Sequence, residues 1–116
     1  MDLGGVDLFA GIAVSDAHAA AAWYEQLLGL APTFWAHSRE AVWILAEHRA
    51  LYVLEDAPRA GQSLATLMVT SLDDFLAAAG GRGVVPARVE EYDGGVRKAV
   101  FHDADGNEVG VGDVPS

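Results

Sequence analysis

The side chains able to do chemistry in this sequence are few and scattered. Four histidines stand at His18, His37, His48 and His102. Their spacing matches no compact metal-ligand motif, and His18 and His48 fall at a helix start and in a hairpin turn. His37 differs: it ends a strand-like run beside Trp35, and Glu40 is the one nearby carboxylate able to orient it as a general base. Arg97 is a cation inside an apolar run, able to pair with an anionic or carbonyl group of a ligand, or with Glu108 across a hairpin. Trp35, Trp43 and Tyr52 offer ring faces on which a flat ligand could stack; the plainer reading is packing of a closed sheet or of a subunit seam. Trp23 and Tyr24 lie on a helical apolar stripe and read as core. Glu90-Glu91 reads as a solvated face. Asp103-Ala104-Asp105-Gly106 opens like a calcium loop but lacks the remaining ligands and the closing glutamate, so it reads as a turn.

Composition narrows the chemistry further. The chain has 116 residues, enough for one domain and too few for two independent cores. Apolar residues make up 52% and charged ones 21%, as in a packed globule. Seventeen acidic groups against seven basic ones give a formal charge of −10. Such a surface repels a phosphate backbone and an anionic membrane, which argues against nucleic-acid and membrane partners and leaves neutral or cationic small molecules, or a protein partner. There is no cysteine, hence no disulfide frame, thiolate metal site or thiol nucleophile. No apolar run approaches the roughly 18 residues of a membrane span. Met1–Asp7 lacks the charged start and apolar stretch of a secretory leader, and a cytoplasmic protein is expected.

The elements that must position these residues follow from periodicity. Leu8–Val14 reads as a buried strand. Ser15 or Asp16 then caps a helix whose Ala20, Trp23, Tyr24, Leu27 and Leu28 share one face; Gly29 ends it and Pro32 prevents its continuation. Strand-like runs follow at Thr33–His37, Ala41–Ala46 and Ala50–Glu55. After a linker over 57–63 the order repeats. Leu64–Thr70 is a strand, Ser71 caps a helix carrying Leu72, Phe75, Leu76 and Ala79, and Gly80-Gly81 ends it. Runs at Ala87–Tyr92, Val96–His102 and Glu108–Gly112 complete the second half. Sliding the halves by about 55 residues superposes the pattern, which implies two like modules, about 7–56 and 64–113.

Alternation along the strands separates a helix-facing side from a far side. It puts Phe9, Gly11, Ala13, Tyr52, Leu54, Leu64, Thr66, Met68, Gly110 and Gly112 on the far side. A two-residue turn at His48-Arg49 would add Trp43 and Leu45. A turn over Asp103–Gly106 would add Arg97, Ala99 and Phe101.

Ile12-Ala13-Val14-Ser15-Asp16, Ala22-Trp23-Tyr24 and Leu27-Leu28-Gly29-Leu30 resemble the opening motif of the vicinal oxygen chelate superfamily, and Asp103-Ala104-Asp105-Gly106-Asn107 resembles its closing turn. This superfamily holds the glyoxalases, extradiol dioxygenases and bleomycin-resistance proteins. The resemblance spans about Phe9 to Val111. It implies an α+β fold of two βαβββ modules whose mixed sheets curl into a cup, and a homodimer. The superfamily's four metal-ligand positions fall here on Phe9, Tyr52, Leu64 and Gly110. Three of these carry no side-chain donor, and a phenol is a poor ligand near neutral pH.

The expectation is therefore a metal-free protein without a cofactor that holds an aromatic or amphipathic small molecule in its cup. Its ligand-binding candidates are Phe9, Trp35, Trp43, Tyr52, Leu64, Met68, Arg97, Phe101 and Gly110. One alternative is a metal-independent enzyme of the same superfamily, a lyase or isomerase using His37, Glu40 or Arg97. Another is a non-catalytic interaction module with a filled cup.

Overall fold

A computed structural model describes residues 3–115. The stretch read for a leader thus begins outside the described residues. The first half contains β1 (Leu8–Val14), α1 (Ala17–Leu28), β2 (Phe34–His37), β3 (Glu40–Ala46) and β4 (Arg49–Glu55). A short 3-10 turn at Ala57–Arg59 leads to β5 (Leu64–Met68), α2 (Leu72–Gly81), β6 (Arg88–Glu91), β7 (Arg97–His102) and β8 (Glu108–Asp113). Each half builds one four-stranded mixed sheet, ordered β1-β4-β3-β2 and β5-β8-β7-β6. Within each sheet the first and last strands of the module run parallel. The edges β1 and β5 touch, so the sheets lie side by side.

Local chemistry sets the helix ends. The Asp16 carboxylate accepts from the amides of His18 and Ala19, and Gly29 turns left-handed at φ 74° to close α1. Ser71 caps α2 by accepting from the Asp74 amide. Arg82, just beyond α2, donates to the carbonyls of Gln26 and Leu27 and so ties down the last turn of α1.

One core runs through both halves. It contains Ile12 and Val14, Ala21, Tyr24 and Leu27 of α1, Trp43, Leu51 and Val53, then Leu72, Ala79, Phe101, Val109 and Val111. The halves are also joined by polar bonds. The Asp103 carboxylate is buried and has no ion-pair partner among the described residues, yet it accepts from the Tyr24 hydroxyl, the Asn107 side-chain amide, and the backbone amides of Asp105 and Asn107. Four donors make a buried charge tolerable. The same burial, with the Asp103 charge adding to it, pushes the Tyr24 phenol well above its usual range. Asn107 reaches back to Ala13 O at 2.8 Å and accepts from the amides of Gly61 and Ser63.

Candidate functional site

The far face of each sheet is where the sequence places its chemistry, and the register decides which residues reach it. Phe9, Gly11 and Ala13 of β1 lie on that face, as do Tyr52 and Leu54 of β4, because Ile12, Val14, Leu51 and Val53 are buried toward α1. Leu64, Thr66 and Met68 alternate in the same way, with Leu64 78% and Met68 59% exposed. Gly110 and Gly112 alternate with the buried Val109 and Val111.

Four expected residues are elsewhere. Trp43 pairs with Leu51 rather than with Tyr52 and is 1% exposed. It packs against Tyr24, and its indole donates to Leu30 O at 2.8 Å. The reason is a bulge. The two-residue turn is Glu47-His48, with His48 at φ 65°, and that turn alone would have set Trp43 opposite Tyr52. The extra residue Leu45, between the pairs Ile44↔Ala50 and Ala46↔Arg49, reverses the parity. Trp35 pairs with the helix-side Ala41 and stacks on His18 of α1 at 4.4 Å, so Phe34, not Trp35, takes the far face of β2.

Arg97 and Phe101 are displaced by the same kind of shift. The loop between β7 and β8 runs from Asp103 through Asn107, as the strand bounds imply and one residue longer than the Asp103–Gly106 turn that would put Arg97 and Phe101 on the far side; Asp103 bonds Asn107 into it. Phe101 therefore faces the core and meets Phe75 of α2 edge-on. Arg97 also turns to the helix side, where it pairs with Asp73 at 3.0 Å and Asp113 at 3.3 Å rather than with Glu108. Those carboxylates hold its guanidinium above the usual range, the Asp73 bond first. Asp113 also accepts from the Leu72 amide, and these bonds lower its carboxyl below the ordinary aspartate value.

Lys98 takes the place vacated by Arg97. It pairs with Gly112 on β8 and Glu90 on β6, and its stem crosses Gly110, where a Cβ would stand 2.9 Å from Lys98 Cδ. Around it lies an ion-pair ladder that sequence reading treated as a solvated face. Arg88 pairs with Glu90 at 2.7 Å and with Glu108 at 3.7 Å, Tyr92 donates to Glu90, and Lys98 Nζ stands 3.8 Å from Glu90. The Tyr92 and Arg88 bonds hold the Glu90 carboxyl below its usual range. A correct count of the loop residues is the signal that would have found Lys98.

The first sheet contrasts with this. Its far face carries Phe9, Phe34, Val42, Ile44, Tyr52 and Leu54. The Tyr52 ring lies across Gly11, in space that any Cβ there would occupy. Between this face and the linker is a cavity of about 450 Å³, lined by Gly11, Ala13, Tyr52, Leu54, Pro58, Arg59, Gln62 and Ser63. Beyond Leu54 and Pro58 a second hollow is lined by His37, whose Nε2 stands 3.5 Å from Glu40 Oε1, both on the open face.

The four positions where the superfamily places metal ligands can be tested on this geometry. Phe9, Tyr52, Leu64 and Gly110 all lie on the far face and supply one phenol between them. Among the described residues no three histidine, aspartate or glutamate side chains gather in a metal-binding arrangement. The donor set does not fit a divalent metal. Nor is any helix among the described residues long and apolar enough to cross a membrane.

Comparison with solved structures places the fold. The chain is 50% identical to a glyoxalase/bleomycin resistance protein from Catenulispora acidiphila, over 96% of this chain and all of that one, with a TM-score of 0.92. A lactoylglutathione lyase from Agrobacterium tumefaciens shares the fold at a TM-score of 0.77 and 17% identity, covering 97% of this chain and 96% of that one. TioX from Micromonospora sp. ML1 does so at 0.78 and 14%, covering 96% and 100%. No protein-family model and no curated protein matches the chain.

Proposed function

The chain belongs to the glyoxalase/bleomycin resistance protein family, and on that premise we propose that it is a metal-free binding protein, holding an aromatic or amphipathic small molecule against the far face of its sheets. The observation that carries this reading is the chemistry at Phe9, Tyr52, Leu64 and Gly110. Where an enzyme of the superfamily would need imidazole or carboxylate donors, this chain offers a benzyl group, a phenol, an isobutyl group and a hydrogen. The 450 Å³ cavity beside Tyr52 is of the size that small ligands fill, and its walls combine apolar surface with a few polar groups from the linker.

A homodimer would complete the site. Phe9, Ile44, Leu64 and Met68 are large apolar side chains left open on the described surface, and a second copy is the natural cover for such a face. The partners are thus a small molecule and a second copy of the chain, with no role for nucleic acid or membrane.

The test is direct. Protein purified without chelators is analysed for bound metals, and calorimetry follows titration with aromatic compounds. Less than a tenth of an equivalent of any divalent ion, with saturable ligand heats, is the expected result; a stoichiometric ion refutes the reading.

A second reading has one specific observation in its favour. His37 and Glu40 sit 3.5 Å apart, His37 lining a hollow next to the cavity, as a base and its orienting carboxylate would in a metal-independent enzyme. Turnover of a bound compound that vanishes in His37→Ala would establish it.

A further inference from the structure

We propose that Lys98 is the anchoring cation of the binding face and that the ligand is a flat aromatic carboxylate lying between Tyr52 and Lys98. The inference rests on the binding reading above and assigns the ligand's charge and the residue that reads it. Three observations support it.

The first is that Lys98 has bonding capacity to spare. Its ammonium donates no hydrogen bond among the described residues, and its one ion-pair partner, Glu90, is 3.8 Å away. Glu90 is already engaged by the Tyr92 hydroxyl and by Arg88, both at far shorter range. Three N–H groups on a half-buried ammonium therefore remain for an incoming oxyanion.

The second is where Lys98 lies. Its stem fills the clearing left by Gly110, just as the Tyr52 ring fills that left by Gly11. Gly11 is on β1 and Gly110 on β8, with β5 between them. β5 is hydrogen-bonded to β8 and meets β1 only edge to edge, so Tyr52 and Lys98 flank the junction of the two sheets from opposite sides. A ligand lying across that junction would set its ring on Tyr52 and its carboxylate on Lys98.

The third is charge. The net charge of −10 disfavours anions at long range, but salt screens that effect beyond about 8 Å at physiological ionic strength. Locally, Arg88 and Lys98 balance Glu90 and Glu108. The opposite wall, Phe9, Tyr52 and Leu54, has no charge and suits the ring.

The experiment compares 2-naphthoate with its neutral isostere 2-naphthamide by calorimetry, on wild type and on Lys98→Met, Lys98→Arg and Tyr52→Ala. The expected result is that wild type binds the carboxylate at least tenfold more tightly. Lys98→Met should lose about tenfold to a hundredfold for 2-naphthoate and leave 2-naphthamide unchanged, and Lys98→Arg should restore the preference. Tyr52→Ala should weaken both compounds alike. Equal affinities in wild type, or a preference that survives Lys98→Met, overturns the assignment of Lys98 while leaving the binding reading intact. Absence of saturable binding by either compound overturns both.

Discussion

Asn107→Ala should be among the most damaging single changes in this protein, although Asn107 lies in a loop. The side chain is fully buried and makes four hydrogen bonds. Its oxygen accepts from Gly61 N at 3.0 Å and Ser63 N at 2.9 Å; its nitrogen donates to Ala13 O at 2.8 Å and Asp103 Oδ2 at 2.9 Å. Truncation leaves two amides and one carbonyl without these partners and removes one of four donors from a buried carboxylate. At about 1 kcal/mol for each neutral bond, and more for the charged one, the loss is about 3–5 kcal/mol. That is a third or more of the stability of a typical domain, and about 12–20 °C in Tm for a chain of this length. Thermal and urea denaturation measure it, with m-values confirming that the transition stays two-state. Tyr24→Phe removes another donor from the same carboxylate, so the double variant should depart from additivity by at least about 0.5 kcal/mol. A Tm loss under about 4 °C for Asn107→Ala, or strict additivity, would mean that water replaces these bonds and that the halves are joined by apolar packing alone.

Other predictions test separate parts of the structure. Gly61→Ala should cost at least about 1–3 kcal/mol, because Gly61 sits at φ 93° and a Cβ there would stand 2.6 Å from Asp105 O; an unchanged urea midpoint would refute that geometry. Gly11→Ala should swing the Tyr52 ring off the sheet, weakening ligand binding with little change in Tm, as calorimetry and tyrosine exposure would report. Tryptophan emission should barely respond to a bound ligand, since Trp35 and Trp43 face the helix side; a strong shift on saturation would place the ligand elsewhere. Asp113 contributes stability that is complete above the ordinary aspartate range and fades as pH falls through its lowered folded value. The Tm gap between wild type and Asp113→Asn should therefore narrow from neutral pH to strong acid, and a constant gap would count against the Arg97 and Leu72 bonds as its cause.

The helices and strands were legible because their signals are local. Asp16 and Gly29 bracket α1, Ser71 opens α2, and Val109 and Val111 alternate with glycines along β8. What was not legible was parity. A strand's two faces exchange when one residue is added to or removed from the connection, and no apolar count records that residue. Leu45 is such a residue in β3, and Asn107, held in the β7–β8 loop by Asp103, is another. β3 carries apolar residues on both faces, Ala41 and Trp43 against Val42 and Ile44, so hydrophobicity alone cannot choose between its two registers.

The functional conclusion survives these reversals because it stands on other strands. Phe9, Tyr52, Leu64 and Gly110 belong to β1, β4, β5 and β8, whose faces are fixed by burial of Ile12, Val53 and Val111 and by the packing of the partly buried Ala65 against the core. Only residues of β2, β3 and β7 changed sides. The exchange kept the first sheet's far face apolar, with Phe34, Val42 and Ile44 replacing tryptophans, and on the second it replaced an engaged guanidinium with an ammonium that has donors free. The parity of β7 thus determines which of its two cations faces the ligand side, so the contrast between Lys98→Met and Arg97→Met reads that parity in solution. The first should alter ligand affinity at constant Tm. The second should lower Tm, through its bonds to Asp73 and Asp113, at constant affinity. The reverse pattern would return the strand to the register that a four-residue turn implies.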